Sequence, residues 1–180
     1  MYSREKQLQH LAKARPLALA AIQKRIERQT RDIRDRVSDE MKTFPLSSIG
    51  LQKTILASLY WAEGAKHAKV SGLSFINTDP KMVELFVTLL RKCYILDESK
   101  FRIRLHLHYY HPIGETKGFW SKLTNIPLTQ FNKIYLKKRS ETKRFRRNFM
   151  GICFLKYSDS IIRKELLAIT EGLHRSYCSK

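Results

Sequence analysis

The sequence predicts an α+β fold: an antiparallel sheet backed on one side by helices, with a long helical arm ahead of it. Three observations carry this. Phe101, Ile103, Leu105, Leu107 and Tyr109 alternate with Arg102, Arg104, His106 and His108, and a period of two marks a strand with one apolar and one polar face. Apolar residues at helical spacing recur around it, in Leu51–Ile55–Leu59–Ala62, in Met82–Leu85–Phe86–Leu89–Leu90 and in Ile161–Ile162–Leu166–Leu167–Ile169. A further stripe of Leu8, Leu11, Ala18, Ile22, Ile26, Ile33, Val37 and Met41 runs through the charged N-terminal region.

That region, residues 1–45, reads as the arm. Pro16 starts its main helix or kinks it. From there to Thr43 the helix spans about 40 Å at ~1.5 Å per residue. Phe44-Pro45 ends it. Arg28, Arg31, Arg34 and Arg36 alternate with Glu27, Asp32 and Asp35, the pattern of a solvated, ion-paired face. A dimer-forming coiled segment, or an arm along a DNA backbone, is the functional alternative.

Residues 46–180 form the main domain. Ser48 is expected to cap a helix that reaches Glu63, and Gly64 to end it at positive φ. Both faces of this helix are largely apolar, so burial on most sides is expected. Lys66 to Asn77 reads as a short strand pair, or as one strand with a bulge at Gly72. Asp79 and Pro80 then open a helix as N-cap and first residue. After the strand beginning at Phe101, Pro112 and Gly114 mark a turn, and Glu115–Asn125 a helix with Phe119, Trp120 and Leu123 inward. Pro127 to Phe131 is a turn or a short helical piece. Lys133–Arg139 alternates weakly as a strand and runs into a cation-rich loop, Ser140–Asn148, expected to be mobile. Phe149–Tyr157 is the last strand, Ser158 or Asp159 caps the last helix, and Gly172 closes it.

The charge balance narrows the function. Lys and Arg number 35 against 16 acids, a formal net charge of +19, and 43% of residues are hydrophobic. The chain can therefore build a core and still carry a large excess of cations, which suits a polyanionic partner. Nucleic acid leads, with an anionic membrane surface second. No apolar run is long enough to span a bilayer, and the N-terminus lacks a secretory pattern. Cys93, Cys153 and Cys178 are an odd set without CxxC spacing. They read as reduced thiols of a cytoplasmic protein rather than zinc ligands. His106 and His108 form an HxH pair that could hold a metal with His111, a reading ranked below phosphate contact.

Leu56-Ala57-Ser58-Leu59-Tyr60-Trp61-Ala62-Glu63-Gly64 resembles the nine-residue motif of the LAGLIDADG homing endonucleases, position for position. The resemblance extends over about Leu46 to Leu173 and implies an αββαββα saddle with an insert in its second half. It implies a homodimer, because the chain holds one copy of the motif. Leu56, Ala57, Ser58, Tyr60 and Trp61 would line the helix pair. Glu63 would be catalytic and would ligate Mg²⁺, giving hydrolysis of double-stranded DNA. Lys66, Lys69, Arg102, Arg104, His106, His108 and Lys156 would lie against the DNA. Lys137, Lys138, Arg139, Lys143, Arg144, Arg146 and Arg147 would clamp phosphates. The family's base-reading hairpin is short in this chain, which implies low sequence specificity. A non-catalytic DNA-binding regulator is the alternative, and an RNA-binding protein ranks third.

Overall fold

The computed structural model describes residues 4–67, 71–137 and 149–178. The chain divides into two units, Met1–Pro45 and Leu46–Lys180. In the first, α1 (Arg4–Met41) is one helix, and Pro16 lies inside it rather than at its start. Its end is tightened by three bonds of the i to i−3 type, from the amides of Lys42, Thr43 and Phe44 to the carbonyls of Asp39, Glu40 and Met41.

The second unit is built from α2 (Ile49–Glu63), β1 (Leu73–Asn77), α3 (Pro80–Cys93), β2 (Phe101–His108), α4 (Ile113–Thr124), β3 (Tyr135–Lys137), β4 (Ile152–Tyr157) and α5 (Ser160–Cys178). The described strands form one sheet in the order β1-β4-β2-β3. β4 runs antiparallel to both β1 and β2, while β3 runs parallel to β2. The sheet is therefore mixed rather than antiparallel. The chain leaves β2 through the α4 crossover, and such a crossover returns the next strand in the same direction.

The period of two in β2 does what it predicts. Phe101, Ile103, Leu105 and Leu107 are all 0% exposed, while Arg102 and Arg104 face out. The buried set meets Leu155 and Tyr157 of β4 and Phe75 of β1. α2, α3 and α5 add Leu56, Tyr60, Phe86, Leu90 and Leu166 to the same core. Phe75 stacks on Phe86 with ring centroids 4.1 Å apart. Trp120 of α4 is buried as expected, and its indole N–H donates to the Met150 carbonyl at 2.8 Å. That bond satisfies the one polar atom of a large buried ring.

Local expectations fail in instructive places. Tyr109 continues the alternation but lies in the turn beyond β2, 58% exposed, because the ladder has already ended. Gly64 caps α2 at φ −83, not in the left-handed region. Glycine is required there because a Cβ would strike the Tyr60 ring and carbonyl. The positive-φ glycines among the described residues are Gly72, at φ 97, where the chain turns into β1, and Gly151, at φ 77, just before β4. Lys66–Asn77 yields one named strand among the described residues, with Gly64 bridging Phe75 beside it. The last strand begins at Ile152, not Phe149. Gly172 does not close α5, which continues to Cys178. Asp159 is the side chain that caps α5, accepting from the amides of Ile161 and Ile162. α2 buries Leu56, Ala57 and Tyr60, so it is not enclosed on most sides.

Candidate nucleic-acid interface

All the buried side chains of β2 point toward the helices, which leaves the opposite face of the sheet for its polar set. The strand register fixes what this open face presents. Lys156 and Arg102 pair across β4 and β2, with Ser74 of β1 in the same row but buried. Ile76, Phe154 and Arg104 form the next, then Ile152, His106 and Tyr135, with Lys137 beside His108. Cations from three strands therefore share one surface with an aromatic ridge. The His106 ring lies 4.0 Å from that of Phe154 and 4.8 Å from that of Tyr135.

The electrostatics of His106 follow from its neighbours. Burial, then the charges of Lys137 and Arg104, push its pKa below the usual histidine value. The shift favours the uncharged ring, which offers an aromatic face and a hydrogen-bonding nitrogen rather than a fixed charge. Arg104 and Lys156 are exposed. Arg102 is exposed too, but its Nη1 donates to the carbonyls of Ser99 and Phe101 at 2.5 and 2.6 Å. Part of its donor fork is thus spent on the backbone of its own strand and of the turn before it.

His111 is not a metal ligand. It is 7% exposed, its Nδ1 lies 3.0 Å from the His108 amide nitrogen, and its Nε2 lies 2.7 Å from the Phe149 carbonyl. Nδ1 also lies 3.2 Å from the His108 carbonyl, so that nitrogen faces both backbone groups of His108. Both nitrogens are committed to pinning the turn after β2. Among the described residues, no three His, Cys, Asp or Glu side chains converge on a metal-sized site.

Glu63 ends α2 and is exposed. The segment that follows it is held from three sides. The Tyr60 hydroxyl donates to the Ala65 carbonyl at 2.8 Å, and the Ala65 amide to the Ser74 carbonyl at 2.9 Å. From α5, one guanidinium nitrogen of Arg163 donates to the carbonyls of Lys66 and His67 at 3.0 and 2.9 Å. Arg163 is only 8% exposed, so these are shielded, charge-assisted bonds. Lys66 itself is exposed. Lys69, Lys138, Arg139, Lys143, Arg144, Arg146 and Arg147 lie outside the described residues, as does the expected loop Ser140–Asn148.

The proposed helix-pair residues separate into two groups. Leu56, Ala57 and Tyr60 are each 0% exposed within one protomer, so their side chains are core and cannot meet a second copy. Ser58 and Trp61 face out, with Trp61 46% exposed. The Ser58 hydroxyl donates to the Thr54 carbonyl, and the Thr54 hydroxyl to that of Gly50, both at 2.8 Å. These back-bonds leave the outward face of α2 small and self-satisfied.

Arg163 carried a readable signal. It shares a helical stripe with Leu166 and Thr170, and a cation in an apolar row needs a buried partner. Phe154 and Tyr135 were missed because their importance lies in their row partners, which only the register supplies. No helix among the described residues is long and apolar enough to cross a membrane. No family model, curated protein or solved structure matches the chain.

Proposed function

We propose that this chain is a DNA-binding protein of LAGLIDADG endonuclease type, which holds duplex DNA on the open sheet face and hydrolyses it as a homodimer. The observation that carries the reading is the row pattern of that face, with Arg102, Arg104, Lys156 and Lys137 brought onto one surface by three strands. Spaced cations on a rigid sheet neutralise phosphates and release counterions, which supplies affinity without base readout. The order α2, β1, α3, β2, β4, α5 approximates the expected αββαββα pattern, with the Gly64–Phe75 bridge where a further strand would stand. α4 and β3 are the insert.

Glu63 supplies one hard oxygen donor per chain, at a helix end where the backbone carbonyls add partial negative charge. That donor suits Mg²⁺, provided a second copy's acid and phosphate oxygens complete the shell. Bound there, Mg²⁺ would lower the pKa of a water and offset charge on the leaving oxygen. The chain's own part is to fix Glu63 at the end of a packed helix and to hold the following segment through Tyr60 and Arg163. Ser58 and Trp61 form the face through which the second copy would approach.

A non-catalytic regulator is favoured by one observation, the short β1, the one strand among the described residues between α2 and α3, where a base-reading hairpin would stand. Titrating labelled duplex with chelator and then with Mg²⁺, at several salt concentrations, separates the readings. The nuclease reading expects strong salt dependence in both and strand breaks only with the metal. Tight binding without breaks in either supports the regulator. Preference for folded RNA over duplex DNA contradicts both.

A further inference from the structure

We propose that α1 is a self-association surface, on which two copies of the arm pair antiparallel through Ile22, Ile26, Thr30, Ile33, Val37 and Met41. These residues follow one another at spacings of 4, 4, 3, 4 and 4, so Ile22 recurs as Ile33, Ile26 as Val37 and Thr30 as Met41. An 11-residue repeat runs at about 3.67 residues per turn, close to the natural helix, so its stripe climbs the helix almost straight. The stripe faces solvent along this length, with Ile22 46%, Ile26 47%, Ile33 52%, Val37 42% and Met41 40% exposed.

Composition argues that the stripe is meant to be covered. Five of its six residues are β-branched, a choice that lowers helix propensity and is repaid by packing. Charge identifies the occupant as a second copy. From Lys24 to Arg31 the charged residues are cations except Glu27, whereas from Asp32 to Glu40 acids outnumber cations. Antiparallel pairing sets the cationic block of one copy against the acidic block of the other, and brings Ile26 opposite Val37. Parallel pairing would set like on like. A DNA backbone would be drawn to the cationic block alone and would leave the apolar stripe uncovered.

The test uses the full chain with Cys93 and Cys178 replaced by Ser and Cys153 left buried in the core. Trp61→Glu is added to remove the proposed α2 contact, so failure of that contact leaves this result readable. Two variants, Ile26→Cys and Val37→Cys, are mixed and oxidised, and the cross-linked pairs are identified by mass spectrometry. The proposal expects the mixed 26–37 pair to exceed the 26–26 and 37–37 pairs several-fold. It also expects Ile33→Glu in the same background to abolish the cross-link and lower the mass measured by sedimentation. Dominant 26–26 and 37–37 pairs, or no cross-link at all, would overturn it.

Discussion

The open sheet face and the tip of α2 are built on opposite principles. On the sheet face the functional groups come from three strands, and register alone sets their spacing. At the tip of α2 there is a single acid, and the surrounding structure is spent on holding the backbone beside it. One copy of the chain already presents the whole of the proposed binding surface. The proposed chemistry, by contrast, is incomplete in one copy. The comparison teaches that binding should survive changes at the tip, whereas hydrolysis should respond to both regions and to dimerisation.

The largest effect expected on either region is on the side the sheet buries. Leu105→Ala removes a fully buried side chain and should cost about 3 kcal/mol of stability, read as a lower denaturant midpoint. Arg104→Glu, its neighbour on the other face, should leave that midpoint nearly unmoved. Paired with Lys156→Glu, it should instead flatten the log K against log salt slope by about 2, since each lost phosphate contact removes ~0.9. An unchanged slope would mean the wrong face has been chosen. At the tip, Arg163→Gln should lower the cleavage rate by about 10-fold while changing DNA affinity little, the range seen when a group that orients a ligand is lost. Arg163→Lys should recover part of that rate, because one cation can still reach the carbonyls of Lys66 and His67.

The smallest effect lies in the tie between α2 and α5, where Lys53 Nζ sits 2.6 Å from Glu165 Oε1. The hydrogen bond from Lys53, opposed by burial, holds the Glu165 carboxyl below its usual range. A depressed carboxylate stabilises the fold above its unfolded pKa and loses that contribution as pH falls through the folded value. Both side chains are partly solvated, so the contribution should be under about 1 kcal/mol. Glu165→Gln should flatten the acid limb of a stability–pH profile by that small amount, and an unchanged limb would assign the acid sensitivity elsewhere.

Much of the fold was legible because its signals are local. The alternation from Phe101 to His108 and the caps at Ser48, Asp79 and Asp159 each concern a few neighbouring residues. The parallel β3 was not legible, since its direction depends on how the chain crosses over α4. The outward face of α2 was misread because its exposed residues are small or apolar, and polarity alone could not separate them from the core. Of the candidate site, the cations of β2 were visible from periodicity. Their aromatic partners Phe154 and Tyr135 needed the register, and although the helical stripe marks Arg163, its partners Lys66 and His67 lie almost a hundred residues away in sequence.

The central claim is that Glu63 performs chemistry on DNA held by the sheet face. The most direct test is nicking of supercoiled plasmid with Mg²⁺ or Mn²⁺ by the wild-type chain and by Glu63→Gln, with binding measured on the same samples. The account predicts that cleavage falls at least about 100-fold while affinity is kept, since a metal-contacting group should matter no less than one that orients it. Equal cleavage by both proteins, or binding lost together with cleavage, would contradict it.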